Sequence, residues 1–193
     1  MLLLETIRID KGKAHYLSYH IDRMQRSCRA LFDDTCRFEN LETFLLPPDK
    51  TALWRCRILY DTSVRHISYH PYTPQPIRRI KAVEADIDYR YKYADRSALD
   101  ELKAAYTEYD DVLIVKHGYI SDTTVANIAF FDGTHWLTPD TPLLEGTTRA
   151  RLIREGKITP VRITPEMIAS FQGVALMNAM IGFTPINDIQ IDL

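Results

Sequence analysis

Three prolines fall within six residues, at Pro71, Pro74 and Pro76, and they set the strongest limit on how this chain folds. Proline fixes φ and has no backbone N–H, so neither a helix nor the interior of a sheet continues through such a stretch. The 193-residue chain therefore divides there. A small α/β lobe over residues 1–75 and a larger lobe over residues 80–193 each have enough length for a core.

Hydrophobic periodicity supplies the elements. Glu5 to Ile9 reads as a strand, followed by a turn at Asp10-Lys11-Gly12-Lys13. Leu17, Ile21, Met24, Cys28 and Leu31 recur at helical spacing and predict a helix over 17–32, with His20, Arg23 and Ser27 on the neighbouring stripe. A short helix over 40–44 and strands over 53–60 and 65–69 complete the first lobe. Asp86 to Lys92 alternates polar and apolar residues, which puts Lys92 at a strand end. Asp95 or Ser97 then starts a helix that runs to about Tyr109. Strands follow over 111–116 and 119–122, with a hairpin over 125–131 and 136–138. Residues 147–154 read as a helix closed by Gly156. Thr164-Pro165-Glu166 opens another helix that Gly173 ends, and 174–177 is a strand. Strands and helices mix without strict alternation, which predicts an α+β fold.

Composition narrows the function classes. A formal net charge of −2 gives no footing for a nucleic-acid partner. Charge at Glu5 interrupts the first apolar residues too early for a signal peptide, and no apolar run reaches membrane-spanning length. Cys28, Cys36 and Cys56 are odd in number and lack metal spacing, which suits a reduced, cytoplasmic chain. His66 and His70 lack a third ligand nearby, so no metal site is expected.

Several residues have side chains suited to chemistry. Lys92 offers an amine just before a helix cap. Asp122 closes a short strand. Gly146-Thr147-Thr148 opens a helix carrying Arg149, Arg151 and Arg154, and a helix start presents free N–H donors and a positive dipole end to an anion. Asn178-Ala179 lies beyond a strand, where further backbone donors are available. Arg23 follows His20 by three residues on the first helix. Arg55 and Arg57 share a strand face and are placed to clamp a carboxylate. Read singly, each has an ordinary explanation: a solvated lysine, a turn aspartate, a threonine cap, a plain loop, an exposed helix or strand face. Taken in order, an amine, a carboxylate and an anion-binding turn are what a pyridoxal-phosphate enzyme requires.

The same segments resemble the class IV aminotransferases, the fold-type IV pyridoxal-phosphate enzymes. That family includes branched-chain aminotransferase, D-amino-acid aminotransferase and aminodeoxychorismate lyase. Leu4-Glu5-Thr6-Ile7-Arg8 resembles its phenylalanine-glutamate-threonine strand, and His20-Ile21-Asp22-Arg23 its first-helix signature. Lys92-Tyr93-Ala94-Asp95-Arg96 resembles the Schiff-base lysine segment, in the form seen in the lyases. Asp122-Thr123-Thr124-Val125-Ala126-Asn127 resembles the segment whose acid meets the pyridine nitrogen. Leu144-Glu145-Gly146-Thr147-Thr148-Arg149 and Asn178-Ala179-Met180 resemble the two phosphate turns. The stretch that usually precedes the first strand has no counterpart, so the resemblance is to an N-terminally short member. Aspartate replaces the usual glutamate at Asp122, and Asp61-Thr62 stands where many relatives have arginine-glycine.

The resemblance implies a two-lobed fold, a homodimer and pyridoxal 5'-phosphate as cofactor. It implies Lys92 as the catalytic Schiff-base lysine and Asp122 as the partner of the ring nitrogen. Arg23, Thr147, Thr148, Asn178 and Ala179 would hold the phosphate, and Leu144 would lie near the ring face. The activity it implies is transfer of an amino group between an amino acid and a 2-oxo acid. Two alternatives stand beside it. One is elimination from an aminodeoxychorismate-like substrate to give 4-aminobenzoate and pyruvate. The other is a degenerate, non-catalytic binding protein.

Overall fold

The computed structural model describes residues 1–33, 36, 38 and 40–193. It divides into two compact units, Met1–Pro74 with Tyr91–Asp95, and Gln75–Arg90 with Arg96–Leu193.

In the first unit, strands β1 (Leu3–Asp10), β2 (Lys13–Ala14), β3 (Trp54–Tyr60) and β4 (Val64–Pro71) form an antiparallel sheet in the order β2-β1-β3-β4. Side chains alternate across a strand, so Leu3, Glu5, Ile7 and Ile9 share one face of β1. Leu3, Ile7 and Ile9 join Cys56, Ile58 and Tyr60 in a core closed by Met24 and Cys28 of helix α1 (Leu17–Phe32). Helix α1 has the predicted bounds because its apolar stripe is unbroken from Leu17 to Leu31. A short helix α2 (Leu41–Phe44) follows. Pro71 is tolerated because β4 is an edge strand, and residues 72–78 carry no regular element.

The return of Tyr91–Asp95 to this unit has a backbone cause. Leu4 N–H donates to Lys92 O (3.0 Å), Ala94 N–H donates to Leu2 O (2.9 Å), and Leu3 bridges Tyr93. The sequence-based division, with Lys92 in the lobe over 80–193, does not foresee that return. Nor is Asp86 to Lys92 a strand. Strand β5 (Arg79–Glu84) ends before this run, and beyond it side chains occupy the backbone groups: Lys116 Nζ donates to Ile87 O (2.9 Å) and Asp88 accepts from Arg90 N–H (3.3 Å). Lys92 follows a turn and has a left-handed φ of 54°.

The second unit holds two sheets. One orders β13 (Gln190–Asp192), β5 (Arg79–Glu84), β6 (Asp111–Lys116) and β7 (Tyr119–Thr123); β5 runs parallel to both β13 and β6. The other orders β10 (Thr159–Val161), β9 (Trp136–Pro139), β8 (Asn127–Phe131), β11 (Gly173–Asn178) and β12 (Gly182–Ile186). Ile80, Leu113, Ile120, Ile128, Phe130 and Leu176 are among its core residues. Helix α4 (Thr147–Arg154) has the predicted bounds. Helix α3 (Ser97–Ala104) stops short of Tyr109, because Lys103 Nζ reaches forward to Tyr109 O (2.7 Å) and closes the end as a turn. The segment after Thr164 is a 3-10 helix, Pro165–Ser170, rather than a longer α-helix. The α+β class stands, with several sheets and few helices.

Candidate active site

Two clusters of buried polar side chains stand out, one in each unit. In the first, Glu5 is wholly buried on the core face of β1, where a lone acid among Leu3, Ile7 and Ile9 requires partners. Helix α1 supplies them. Arg23 Nε and Nη2 donate to the two Glu5 oxygens at 2.8 and 2.7 Å, and His20 Nδ1 lies 2.7 Å from Oε2. Burial alone would raise the Glu5 carboxyl; the Arg23 charge and the hydrogen bonds from His20 and Arg23 more than reverse this and hold it well below the usual carboxylate range. Burial favours neutral His20, against its bond to Glu5. The stripe of His20, Arg23 and Ser27 is thus interior rather than a solvated helix face. Lys92, in the same unit, is near enough for its charge to bear on His20.

In the second unit the centre is Asp122, at the end of β7 and 4% exposed. The turn from β7 into β8 brings Asn127 back beside it. Asn127 Nδ2 donates to Asp122 Oδ1 (2.8 Å) and to Leu144 O (2.9 Å), while Leu144 N–H donates to Asp122 Oδ2 (2.9 Å). Burial pushes the Asp122 carboxyl up to about 6, despite those bonds and the charge of Arg149. The same contacts fix the loop that enters α4. Gly146 precedes the helix, and a Cβ there would lie 1.9 Å from Asn127 Oδ1, so only glycine permits the approach. Thr147 and Thr148 are buried in the first turn of α4, which has no acidic residue and no capping side chain.

Asn178 ends β11, and its side chain shapes the turn that follows. Its Oδ1 accepts from Met180 N–H (2.9 Å) and Ile181 N–H (3.0 Å), and its Nδ2 donates to Val125 O (3.2 Å). Ala179 lies within that turn, half-buried. Asp61, at the place of the family's arginine, accepts from Arg65 Nε at 2.8 and 2.9 Å and is no anion anchor. Of the residues named from sequence, Asp122, Leu144, Thr147 and Thr148 form one connected group. Arg23 belongs to the Glu5 cluster. Asn127, Glu5 and His20 are the supports that site reasoning left out; an inward acid on a period-2 strand was the available signal for Glu5.

The family model for amino-transferase class IV matches residues 2–189. The chain belongs to this family. An uncharacterized protein of Haemophilus influenzae is 38% identical over 184 residues, which cover 93% of this chain and 98% of that one. A provisionally named 4-amino-4-deoxychorismate lyase from Haemophilus somnus 129pt has a crystal structure with a TM-score of 0.85 and 34% identity, covering 94% of this chain and 97% of that chain. A provisionally named amino-acid aminotransferase from Mesorhizobium loti shares the fold at a TM-score of 0.84 and 22% identity, covering 98% of this chain and 99% of that one. The class IV fold is therefore shown for this chain, and members of the family bind pyridoxal phosphate.

The class IV residues present here fit that cofactor. A buried carboxylate whose charge is disfavoured by burial gains from a protonated ring nitrogen beside it. A helix start with free donors, two buried hydroxyls and no acid suits a phosphate.

Proposed function

We propose that this class IV chain is a pyridoxal-phosphate-dependent aminotransferase, moving an amino group between an amino acid and a 2-oxo acid. The observation that carries the reading is Asp122, a carboxylate buried at 4% exposure and fixed by Asn127 and Leu144 beside the opening of α4. Bound pyridoxal phosphate supplies an aldehyde for amines and a pyridine ring that draws electrons from the substrate α-carbon.

The chain's own residues divide the remaining work. Lys92 Nζ would hold the cofactor and, when free, would take the proton from the substrate α-carbon. Asp122 would hold a protonated ring nitrogen. Thr147, Thr148, the α4 N–H groups and the Asn178–Ala179 turn would hold the phosphate, and Arg23 is a further candidate for it. Glu5 holds Arg23 by two of its guanidinium nitrogens and so fixes where that cation points. Leu144 would help hold the ring. We further propose a homodimer, which sedimentation of the purified protein tests directly.

Elimination is the second reading, favoured by the name given to the Haemophilus somnus relative. It uses the same proton transfer at Lys92, but needs no 2-oxo acid acceptor.

The test starts from the visible absorbance of the purified protein with added pyridoxal phosphate. Borohydride should bleach the band and leave the cofactor covalently on the peptide containing Lys92, and Lys92→Ala should show no such peptide. Absence of trapped cofactor on wild-type protein sinks the reading. Turnover that requires a 2-oxo acid marks transamination; pyruvate release without one marks elimination.

A further inference from the structure

The loop that leads from β9 into α4, residues 140–146, is held from two sides. On one side stands β7, the strand that carries Asp122. Ser121 Oγ donates to Thr141 O (2.9 Å), and Leu144 N–H donates to Asp122 Oδ2 (2.9 Å). On the other side Arg149 closes the loop on itself. From the first turn of α4 its Nη2 donates to Pro139 O (2.8 Å), the carbonyl that ends β9. That bond joins the two ends of the loop, so the backbone offering Leu144 N–H to Asp122 is fixed at both.

A guanidinium exceeds what closing a loop needs. Arg149 is 7% exposed. Among the described residues it makes no ion pair, and its Nε is enclosed without a hydrogen-bond partner. A cation in the first turn also faces the positive end of the helix dipole. A neutral donor would reach the same carbonyl without burying a charge. The charge therefore has a use of its own, and the acids around it show where.

Burial disfavours the Arg149 charge; Asp122 opposes this most, then Glu145 and Asp140. Glu145 and Asp140 are exposed, and Asp140 is already engaged by Arg162 Nε at 3.0 Å. Asp122 alone of the three is buried, and its partners Asn127 Nδ2 and Leu144 N–H are both neutral. Burial dominates at Asp122, and the charge acting against it is that of Arg149. An arginine fork on Asp122 would occupy both carboxylate oxygens. A cation tied to Pro139 instead leaves lone pairs open on them.

We propose that Arg149 is a positioning residue for Asp122: its bond to Pro139 closes the loop that holds the carboxylate, and its buried charge balances that carboxylate without touching it, leaving the oxygens to the cofactor's ring nitrogen. The clause on the ring nitrogen rests on the proposed function; the pairing of Arg149 with Asp122 does not.

Isotope-edited NMR of the Asp122 carboxyl, on the full cofactor-free chain, tests the pairing. In wild type the carboxyl should titrate at about 6. Arg149→Gln keeps an N–H donor but no charge, and should move that titration upward, since the carboxylate has lost its cation. Arg149→Lys keeps the charge and should stay close to wild type. A merely structural role predicts the opposite grouping, with both variants alike. Equal shifts in the two variants, or none in either, overturn the proposal. If Arg149→Gln does not fold, the double variant with Asp122→Asn should fold again, because neither charge is then left alone in the interior; failure of that double variant also overturns the proposal. With isotope-labelled pyridoxal phosphate bound, the ring nitrogen should be protonated in wild type and Arg149→Lys and less so in Arg149→Gln. Equal protonation in all three overturns the role toward the ring. Cofactor trapped on Lys92, with an Asp122 titration indifferent to the Arg149 charge, overturns this inference alone. A titration that follows the charge, with no cofactor trapped on wild-type protein, upholds the pairing and removes only the enzyme reading.

Discussion

Gly146→Ala separates two opposing effects at one position. Gly146 has φ −65° and ψ 142°, an extended conformation open to any residue. On backbone grounds alone, alanine there should stabilise the protein by ~0.4–1 kcal/mol through the unfolded chain. Packing says the reverse. The new Cβ would lie 1.9 Å from Asn127 Oδ1 and 3.0 Å from its Cγ. Ordinary contact is about 3.5 Å, so the amide must retreat by more than an ångström. It cannot do so while Nδ2 keeps bonds of 2.8 Å to Asp122 and 2.9 Å to Leu144 O. Losing a charge-assisted bond, ~1.5–3 kcal/mol, and a neutral one, ~1 kcal/mol, outweighs the backbone gain and leaves a net cost of about 2–3 kcal/mol. For a chain of this size that lowers the melting temperature by about 5–10 °C. Pyridoxal-phosphate affinity should fall with it, because the loop holding Thr147 and Thr148 moves. Asn127→Ala removes the obstacle, so the double variant should be more stable than the sum of the single effects by ~2 kcal/mol. A Gly146→Ala protein that melts at or above wild type, or a strictly additive pair, refutes the reasoning.

Two other outcomes follow from the buried charges. Asp122 has a folded pKa of about 6 against an ordinary 3.8; at about 1.4 kcal/mol per pH unit, ionising it costs the cofactor-free fold about 3 kcal/mol. The folded state binds the extra proton, so stability falls as pH rises from about 4 to 6. Denaturant midpoints of wild type and Asp122→Asn across that window should diverge as pH rises, and parallel curves count against it. Glu5 is the opposite case. Held below its ordinary 4.5, it contributes fully above about pH 4.5 and progressively less in acid. Glu5→Ala strands the Arg23 charge in the interior and should cost ~3–5 kcal/mol in urea titration at pH 7, and near-zero cost would show the pair to be dispensable.

Some elements were legible because local and tertiary signals agree. Helix α1, strand β6 and helix α4 have the expected bounds, since apolar period, length and flanking turns all point one way. Strands β5, β10, β12 and β13 were not seen. Arg79–Glu84 mixes charge with apolar residues, and β10 and β13 have three residues each, held by parallel neighbours remote in sequence. Asp86 to Lys92 shows the reverse error: alternation alone is not a strand when charged side chains satisfy the backbone. The residues proposed to hold the cofactor stand in the sequence as an ordered set of motifs. Their supports do not, because Asn127 is drawn to Asp122 by a turn, and Glu5 to Arg23 by packing of α1 on β1.

The left-handed backbone at Lys92 has an evolutionary consequence. Lysine at φ 54° carries about 1 kcal/mol of steric cost that asparagine, tolerant of that region, would largely escape. Random substitution under selection for folding alone would therefore drift away from lysine at this position. On the proposed role of Lys92, a lineage released from the need for an amine should lose it early and melt higher for it.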